Sequence, residues 1–510
     1  MNRLPIGIQT FREIRSKNLI YVDKTKEALS LVENGKYYFL SRPRRFGKSL
    51  FLDTLKNLFE GNKELFEGLY IYDKYNWDES YPIIKIDWSG DFKTLEKIEY
   101  RAFQIMKNNQ ESLGIECEFQ TSASGCFEEL IRKAFKKYNK PVVILIDEYD
   151  KPILDNINDT EMALKARDFL RGFYVMMKAN DAYIKFAFLT GISKFSKANI
   201  FSGLNNLEDI SLVPEYGNIC GYTQENIENE FLEYSQGMDL EKIKVWYNGY
   251  YFLKDKIYNP FDLLKFFKYK QFKNYWWESG NPYFLIELIK KNSYYLPKLA
   301  DLKVDDTILN TFEVDNIKLE VLLYQAGYLT IQSQEITIFD TIEYKLKLPN
   351  KEIKISFNDM IIDMINSDAD NNCIKTNIYK SLLNAKLEAL QNSLMTMFSA
   401  IPYNNHTGNN IAHYEGFYAS VIYVYFQSLG IEIIGEDVTS KGRIDLTLFV
   451  NDIIYIIEFK VNQKGALEQI KANRYADKYK DLDKKIYLVG ISFDELERNI
   501  CEFEWELFKF

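Results

Sequence analysis

"SRPRRFGKSL" (residues 41–50) decides how the first half of the chain is read. Gly47-Lys48-Ser49 follows Arg42, Arg44 and Arg45, and matches the close of the G-x-x-x-x-G-K-[ST] phosphate loop. Arg42 stands where that pattern has its first glycine. The flanks supply the context a phosphate loop requires. "KYYFL" (36–40) reads as a strand. "KSLFLDTLKNLFEG" (48–61) reads as a helix: Phe51, Leu55, Leu58 and Phe59 recur at helical spacing, and Gly61 ends it. In a strand–loop–helix the N–H groups of residues 45–49 point from a helix N-terminus at an anion. A basic turn before an ordinary helix would carry the same letters, so a second signal is needed.

"PVVILIDEYD" (141–150) is that signal. It is apolar on both faces, as in a covered parallel strand, and runs into Asp147-Glu148. A carboxylate at a strand end can hold water on Mg²⁺, and the next one can orient an attacking water. Asp147 and Glu148 are assigned those tasks. Asp87 competes at the end of "YPIIKIDWSG" (81–90), but Lys85 interrupts its apolar run. "YIKFAFLTGIS" (183–193) is a fourth strand. Thr190 at its end is a candidate γ-phosphate sensor, and Arg171 a candidate charge stabiliser. Lys48 would reach the β- and γ-phosphates of ATP and Ser49 would ligate Mg²⁺. Arg44, Arg45, Phe46, Gly47 and Leu50 complete the cradle. Phe11 or Tyr21 is a candidate adenine stack. Strands alternating with helices over the first 220 residues predict a doubly wound α/β domain with a parallel sheet.

Bulk composition excludes several classes. The chain has 510 residues, 46% hydrophobic and 27% charged, which is globular with room for about three domains. A net charge of −9 gives no general attraction to nucleic acid or anionic membrane, so any such contact needs local basic surface. Five scattered cysteines with no Cys-x-x-Cys argue against disulfides and thiolate zinc sites. Two histidines, His406 and His413, leave little for multi-histidine chemistry and are read as structural or surface residues. With no signal peptide and no long apolar run, a cytoplasmic protein without membrane contact is expected. "KFFKYKQFKNYWWES" interleaves lysines with aromatics. It is read as an amphipathic helix burying its rings beneath solvated lysines, ahead of a single-strand-binding surface. "YKLKLPNKEIKISF" is read as a hairpin turning at Pro349-Asn350.

A second site lies in "KGRIDLTLFVNDIIYIIEFK" (441–460). Asn451-Asp452 reads as a two-residue turn, which sets Asp445 opposite Glu458. Alternation puts Arg443, Asp445 and Thr447 on one face and Ile444, Leu446 and Leu448 on the other. Facing carboxylates repel, and a divalent cation is the natural species between them. Lys460 shares the face of Glu458 and would neutralise charge on a phosphoryl oxygen. A helix over 409–430 places Glu415 on the same stripe as Tyr418, Ala419, Ile422 and Phe426, a costly position unless the carboxylate has metal-ligand or supporting duty. Gln469, on a helix over 465–480, would assist. A plain sheet with an exposed E-x-K face is the bland reading of the same residues.

"LPIGIQTFREIRSKNLIYVDKT", "RPRRFGKS", "VVILIDEYDKP", "FLTGISKFS", "LNNLEDIS", "WYNGY", "YNPF" and "LPNKEIK", with Asp445-x12-Glu458-x-Lys460, together resemble a bacterial AAA-ATPase-like family. Its members carry a C-terminal PD-(D/E)xK nuclease domain. The loop is similar to the "GPRRxGKT" loop of STAND-type ATPases, and Ile444 replaces the proline before the motif Asp. The resemblance implies an ATPase domain over 1–220, a helical and winged-helix-like region over 221–400, and a restriction-endonuclease-like α/β domain over 401–510. It implies ATP and Mg²⁺ as cofactors, with Mn²⁺ an alternative at the nuclease site, and nucleic acid, DNA foremost, as partner. A homo-oligomer is compatible with it. Two other readings stay open: a STAND-like signalling switch with a nuclease effector in phage defence, and a nucleic-acid-binding protein whose nuclease fold no longer cuts.

Overall fold

The computed structural model describes the chain apart from residues 1–2, 119–121, 196–205, 277–295, 297–298, 300–301, 310–317, 367–369, 402–414 and 510, and apart from the side chains of residues 307, 308, 364 and 415. His406 and His413 lie outside the described residues. The chain divides into two compact units: Met1–Ser279 with Val304–Tyr344, and Gly280–Lys303 with Lys345–Phe510.

The first unit is organised by strands β1 (Tyr37–Ser41), β2 (Ile83–Asp87), β3 (Val142–Asp147), β4 (Ile184–Gly191) and β5 (Glu208–Asp209). Among the described residues they form one sheet in the order β2-β3-β4-β1-β5. Neighbours pair in parallel throughout. Parallel strands need crossovers, supplied by the helices Leu95–Leu113 and Ala123–Tyr138 before β3 and Thr160–Ala179 before β4. Every residue of β3 is buried, as its unbroken apolar run demands. The carboxyl ends of β1 and β3 fall on the same edge with β4 between them, which is where open α/β sheets bind ligands. Two-residue β5 is too short to carry any periodic signal in sequence.

The rest of this unit includes a small antiparallel sheet of β6 (Tyr222–Thr223), β7 (Asn248–Tyr251) and β8 (Lys256–Tyr258). The helix Pro260–Tyr269 buries Leu263, Leu264, Phe266 and Phe267 and leaves Lys268 exposed. The lysine–aromatic text is therefore amphipathic helix over that span. Strands β9 (Leu302–Asp305), β10 (Thr330–Ile336) and β11 (Ile342–Lys347) follow in the chain. No hairpin turns at Pro349-Asn350. The side chain of Asn350 instead accepts the Ile353 N–H at 3.0 Å and caps a helix over Lys351–Ile365. The disulfide reading is also corrected: Cys117 and Cys126, 5.5 Å apart at Cα, are bonded through their sulfurs. Cys117 follows the helix Leu95–Leu113 and Cys126 lies on the helix Ala123–Tyr138, so their meeting depends on how the chain folds between these helices, which spacing alone does not reveal.

The second unit carries β12 (Glu432–Thr439), β13 (Gly442–Val450), β14 (Ile453–Val461), β15 (Lys485–Asp494) and β16 (Asn499–Leu507), ordered as numbered. Pairing is antiparallel except β14 with β15, which is parallel. The β14–β15 crossover contains a helix over Ala466–Ala472, shorter than the expected 465–480. On its face of the sheet Ile454, Ile456, Leu467, Ile470 and Tyr475 form one core cluster. Gly490 makes this packing possible: a Cβ there would lie 2.4 Å from the Leu467 nitrogen. The helix Glu415–Ser428 buries Tyr418, Ile422 and Phe426, and the Tyr418 ring stacks on Phe493 with centroids 4.2 Å apart.

Candidate active sites

The loop after β1 enters the helix Lys48–Phe59 through Gly47, whose φ of +96° excludes most L side chains. A Cβ added at Gly47 would meet nothing within 4 Å and would project into open space. That space is a cavity of about 400 Å³ walled by Arg44 to Phe51, Asp147, Glu148 and Asp150. Its remaining wall includes Gln9, Tyr21, Lys24, Cys220, Tyr222 and Phe261. A concave space at a helix N-terminus, with carboxylates across from a lysine, fits a polyphosphate and its cation.

Lys48 is 8% exposed, and its ammonium donates to the carbonyls of Arg42 (2.8 Å) and Pro43 (3.0 Å). Burial holds its pKa below the ordinary lysine value, with Asp147 opposing. Arg42 turns away from the cavity. Its guanidinium donates to the carbonyls of Ser41 (2.9 Å), Ser211 (2.7 Å) and Tyr216 (3.2 Å), and lies 4.0 Å over the Phe252 ring. The residue that breaks the glycine pattern ties the loop to residues 211–216. Phe46 packs edge-on against Tyr250, and the Arg45 guanidinium lies 3.8 Å over Phe261.

Across the cavity, Asp147 ends β3 and accepts a 2.6 Å hydrogen bond from the Thr190 hydroxyl. Thr190 is fully buried and forms no part of the cavity wall. Its hydroxyl donates to Asp147. Glu148 has φ +53°; burial, then the neighbouring Asp147 charge, raises its pKa. Arg171 is not in the wall either; it lies 3.4 Å from Asp168 on its own helix. Phe11 is fully buried against Tyr21 and Phe66, so of the two stacking candidates Tyr21 alone lines the cavity. Asp87 sits in register with Asp147 but accepts the Ser89 N–H at 2.9 Å instead. Asp150, Lys24 and Gln9 were not singled out in the sequence, which offers no periodic or motif signal for a wall assembled from many segments far apart in the chain.

In the second unit the β13–β14 ladder runs from Val450↔Ile453 to Leu446↔Ile457, the register set by the Asn451-Asp452 turn. It stops one residue short of Asp445. There Asp445 Oδ2 accepts the Phe459 N–H at 2.8 Å, so the carboxylate occupies the place of a ladder bond. Strict alternation fails at the same point. Ile444 belongs to the cluster of Ile454 and Ile456, although Leu446 is registered with Ile457 on the opposite face. Facing Asp445 on β12 is Glu436, with φ +53°. Beyond Leu446↔Ile457 both strands continue without a registered pair between them, at the level of Asp445 and Glu458.

Glu458 is 2% exposed, and Gln469 Nε2 donates to its Oε1 from the helix Ala466–Ala472. Lys460 is half-buried and makes no ion pair among the described residues. Glu415 opens its helix; its side chain lies outside the described set. Among the described residues no group of three or more His, Cys, Asp or Glu side chains converges to hold a metal. Asp445 and Glu458 are hard oxygen donors, a pair that suits Mg²⁺ or Mn²⁺ with water filling further positions. Among the described residues no helix is long and apolar enough to cross a membrane.

Residues 5–201 match a family model described as a predicted AAA-ATPase. Residues 413–503 match the PD-(D/E)XK nuclease superfamily. An uncharacterized protein in the vnfD 5′ region of Azotobacter chroococcum mcd 1 is 43% identical over 508 residues, covering 98% of each chain. The Aeropyrum pernix ORC2 protein aligns over 69% of this chain and 98% of its own at 12% identity and TM-score 0.21, too distant to bear on the fold. Identity at that level along nearly the whole length, with both domains matched in order, means that the chain belongs to the family of AAA-ATPase-like proteins with a C-terminal PD-(D/E)XK nuclease superfamily domain.

Proposed function

We propose that the protein binds and hydrolyses ATP at the 41–50 loop and cleaves phosphodiester bonds of nucleic acid, DNA foremost, at Asp445, Glu458 and Lys460. The observation that carries the nuclease half is the end of the registered β13–β14 pairs at Asp445, beside a Glu458 oriented by Gln469. A divalent cation bound there supplies a water of lowered pKa and neutralises phosphoryl charge. Asp445 and Glu458 hold the cation, Gln469 fixes the Glu458 carboxylate, and Lys460 stabilises negative charge on the phosphoryl oxygen. Glu415 is kept as a supporting acid.

In the nucleotide half, Lys48 leaves the two loop carbonyls to meet the β- and γ-phosphates. Ser49 and Asp147 hold Mg²⁺, and Glu148 orients water. Residues 1–220 serve nucleotide chemistry, 401–510 serve phosphodiester chemistry, and 221–400 link them in a cytoplasmic protein. Nucleotide state gates the nuclease.

The test is incubation of purified protein with single- and double-stranded DNA and RNA, with and without ATP and Mg²⁺, beside Asp445→Ala and Lys48→Ala. Metal-dependent cutting lost in Asp445→Ala is expected. Cutting that survives Asp445→Ala sinks the nuclease assignment, and a Lys48→Ala protein with unchanged rate and ATP response sinks the gating.

A further inference from the structure

We infer that Asp150 is a positioning residue for the nucleotide site, holding the end of β4 so that Thr190 presents its hydroxyl to Asp147. The inference rests on the nucleotide reading above and adds a residue to it. Asp150 is 1% exposed, and its Oδ2 accepts the N–H groups of Ile192 (3.0 Å) and Ser193 (2.6 Å). A buried carboxylate that accepts two backbone N–H groups fixes the backbone that carries them. That backbone continues directly from Thr190, whose hydroxyl meets Asp147 Oδ1 at 2.6 Å.

Tyr149 reinforces the clamp. Its N–H donates to the Thr190 carbonyl (3.0 Å), and its hydroxyl donates to the Ser193 carbonyl (3.0 Å). Gly191 permits the approach, because a Cβ there would lie 2.5 Å from the Tyr149 ring and 2.7 Å from Asp150 Oδ1. Asp150 and Tyr149 follow β3, so the acid strand grips the end of its neighbour and the neighbour returns one hydroxyl to the acid. Partners that orient a metal-ligating carboxylate typically contribute about 10–100-fold to metal affinity or activity.

The test is a double-mutant cycle on the full chain, read by titration with a fluorescent ATP analogue with and without Mg²⁺. Thr190→Ala, which lies outside the cavity wall, should leave metal-free affinity within about threefold, and Asp150→Ala and Thr190→Ala should each reduce the Mg²⁺-induced tightening about tenfold. The double variant should be no worse than either single one, because both act through one hydroxyl. Additive losses of about a hundredfold, or no loss in Asp150→Ala, overturn the inference. If Asp150→Ala does not fold, Asp150→Asn decides: its Oδ1 still accepts the two N–H groups, so its Mg²⁺-induced tightening should stay within about threefold of the wild-type value. A tenfold loss in Asp150→Asn overturns positioning by geometry. Wild-type protein that binds no nucleotide overturns the underlying reading itself, a result distinct from normal binding with an unaffected Asp150 variant.

Discussion

Arg42→Gly completes the phosphate-loop pattern in sequence and should nonetheless damage the protein. The guanidinium is 1% exposed and makes two bonds to carbonyls of a distant segment, Ser211 and Tyr216. Charge-assisted bonds of this kind contribute about 1.5 kcal/mol or more each. Contact with the Phe252 face adds about 1–2 kcal/mol in a desolvated setting. Glycine adds about 0.5–1 kcal/mol of backbone entropy to the unfolded side. Against this stands relief of the cation's own desolvation, the force that lowers its pKa. That relief is offset in turn by carbonyls left without donors at about 1–2 kcal/mol each. The net loss should be about 4 kcal/mol, in line with breaking other buried charged contacts. At a few degrees per kcal/mol this is a fall of roughly 10 °C in the melting transition. Differential scanning fluorimetry with and without ATP reads it, and Arg42→Lys should fall between because it lacks the guanidinium fork. An Arg42→Gly protein within about 1 kcal/mol of wild type would refute the reasoning.

Gly490→Ala drives a methyl into the Leu467 backbone and should shift the helix that carries Gln469, lowering nuclease turnover more than tenfold by analogy with other ligand-orienting partners; unchanged turnover would detach that helix from the site. Lys48 is held below the ordinary lysine pKa, so its charged form lowers stability, and stability from this group rises as pH climbs through the depressed value. An anion in the cradle reverses the shift, so ATP binding in that pH window should take up protons, by calorimetry in buffers of different ionisation enthalpy. Proton release traced to Lys48 would contradict it. Asn350→Ala removes the cap on the Lys351–Ile365 helix and should lower stability by about 1 kcal/mol in urea unfolding; an unchanged midpoint would return residues 348–351 to a loop without capping duty.

Sequence by itself determined the parts whose physics is local. The uninterrupted run 142–147 had to be a covered strand, the 48–59 periodicity had to be a helix, and the Asn451-Asp452 turn set the β13–β14 register. Tertiary structure decided everything that depends on two distant segments meeting. It turned Arg42 inward to residues 211 and 216, gave Thr190 to Asp147, and bonded Cys117 to Cys126. It also placed β12 and β16 at the sheet edges, where a positive-φ Glu436 and alternating acids blur the strand signal. Alternation predicted the faces of β13 until Asp445, and failed there, where the registered pairs end and a side-chain oxygen takes over a backbone bond. Period-two reasoning assumes a continuous ladder. The candidate site lies where the ladder ends, so its geometry follows from long-range packing that no local run of residues encodes.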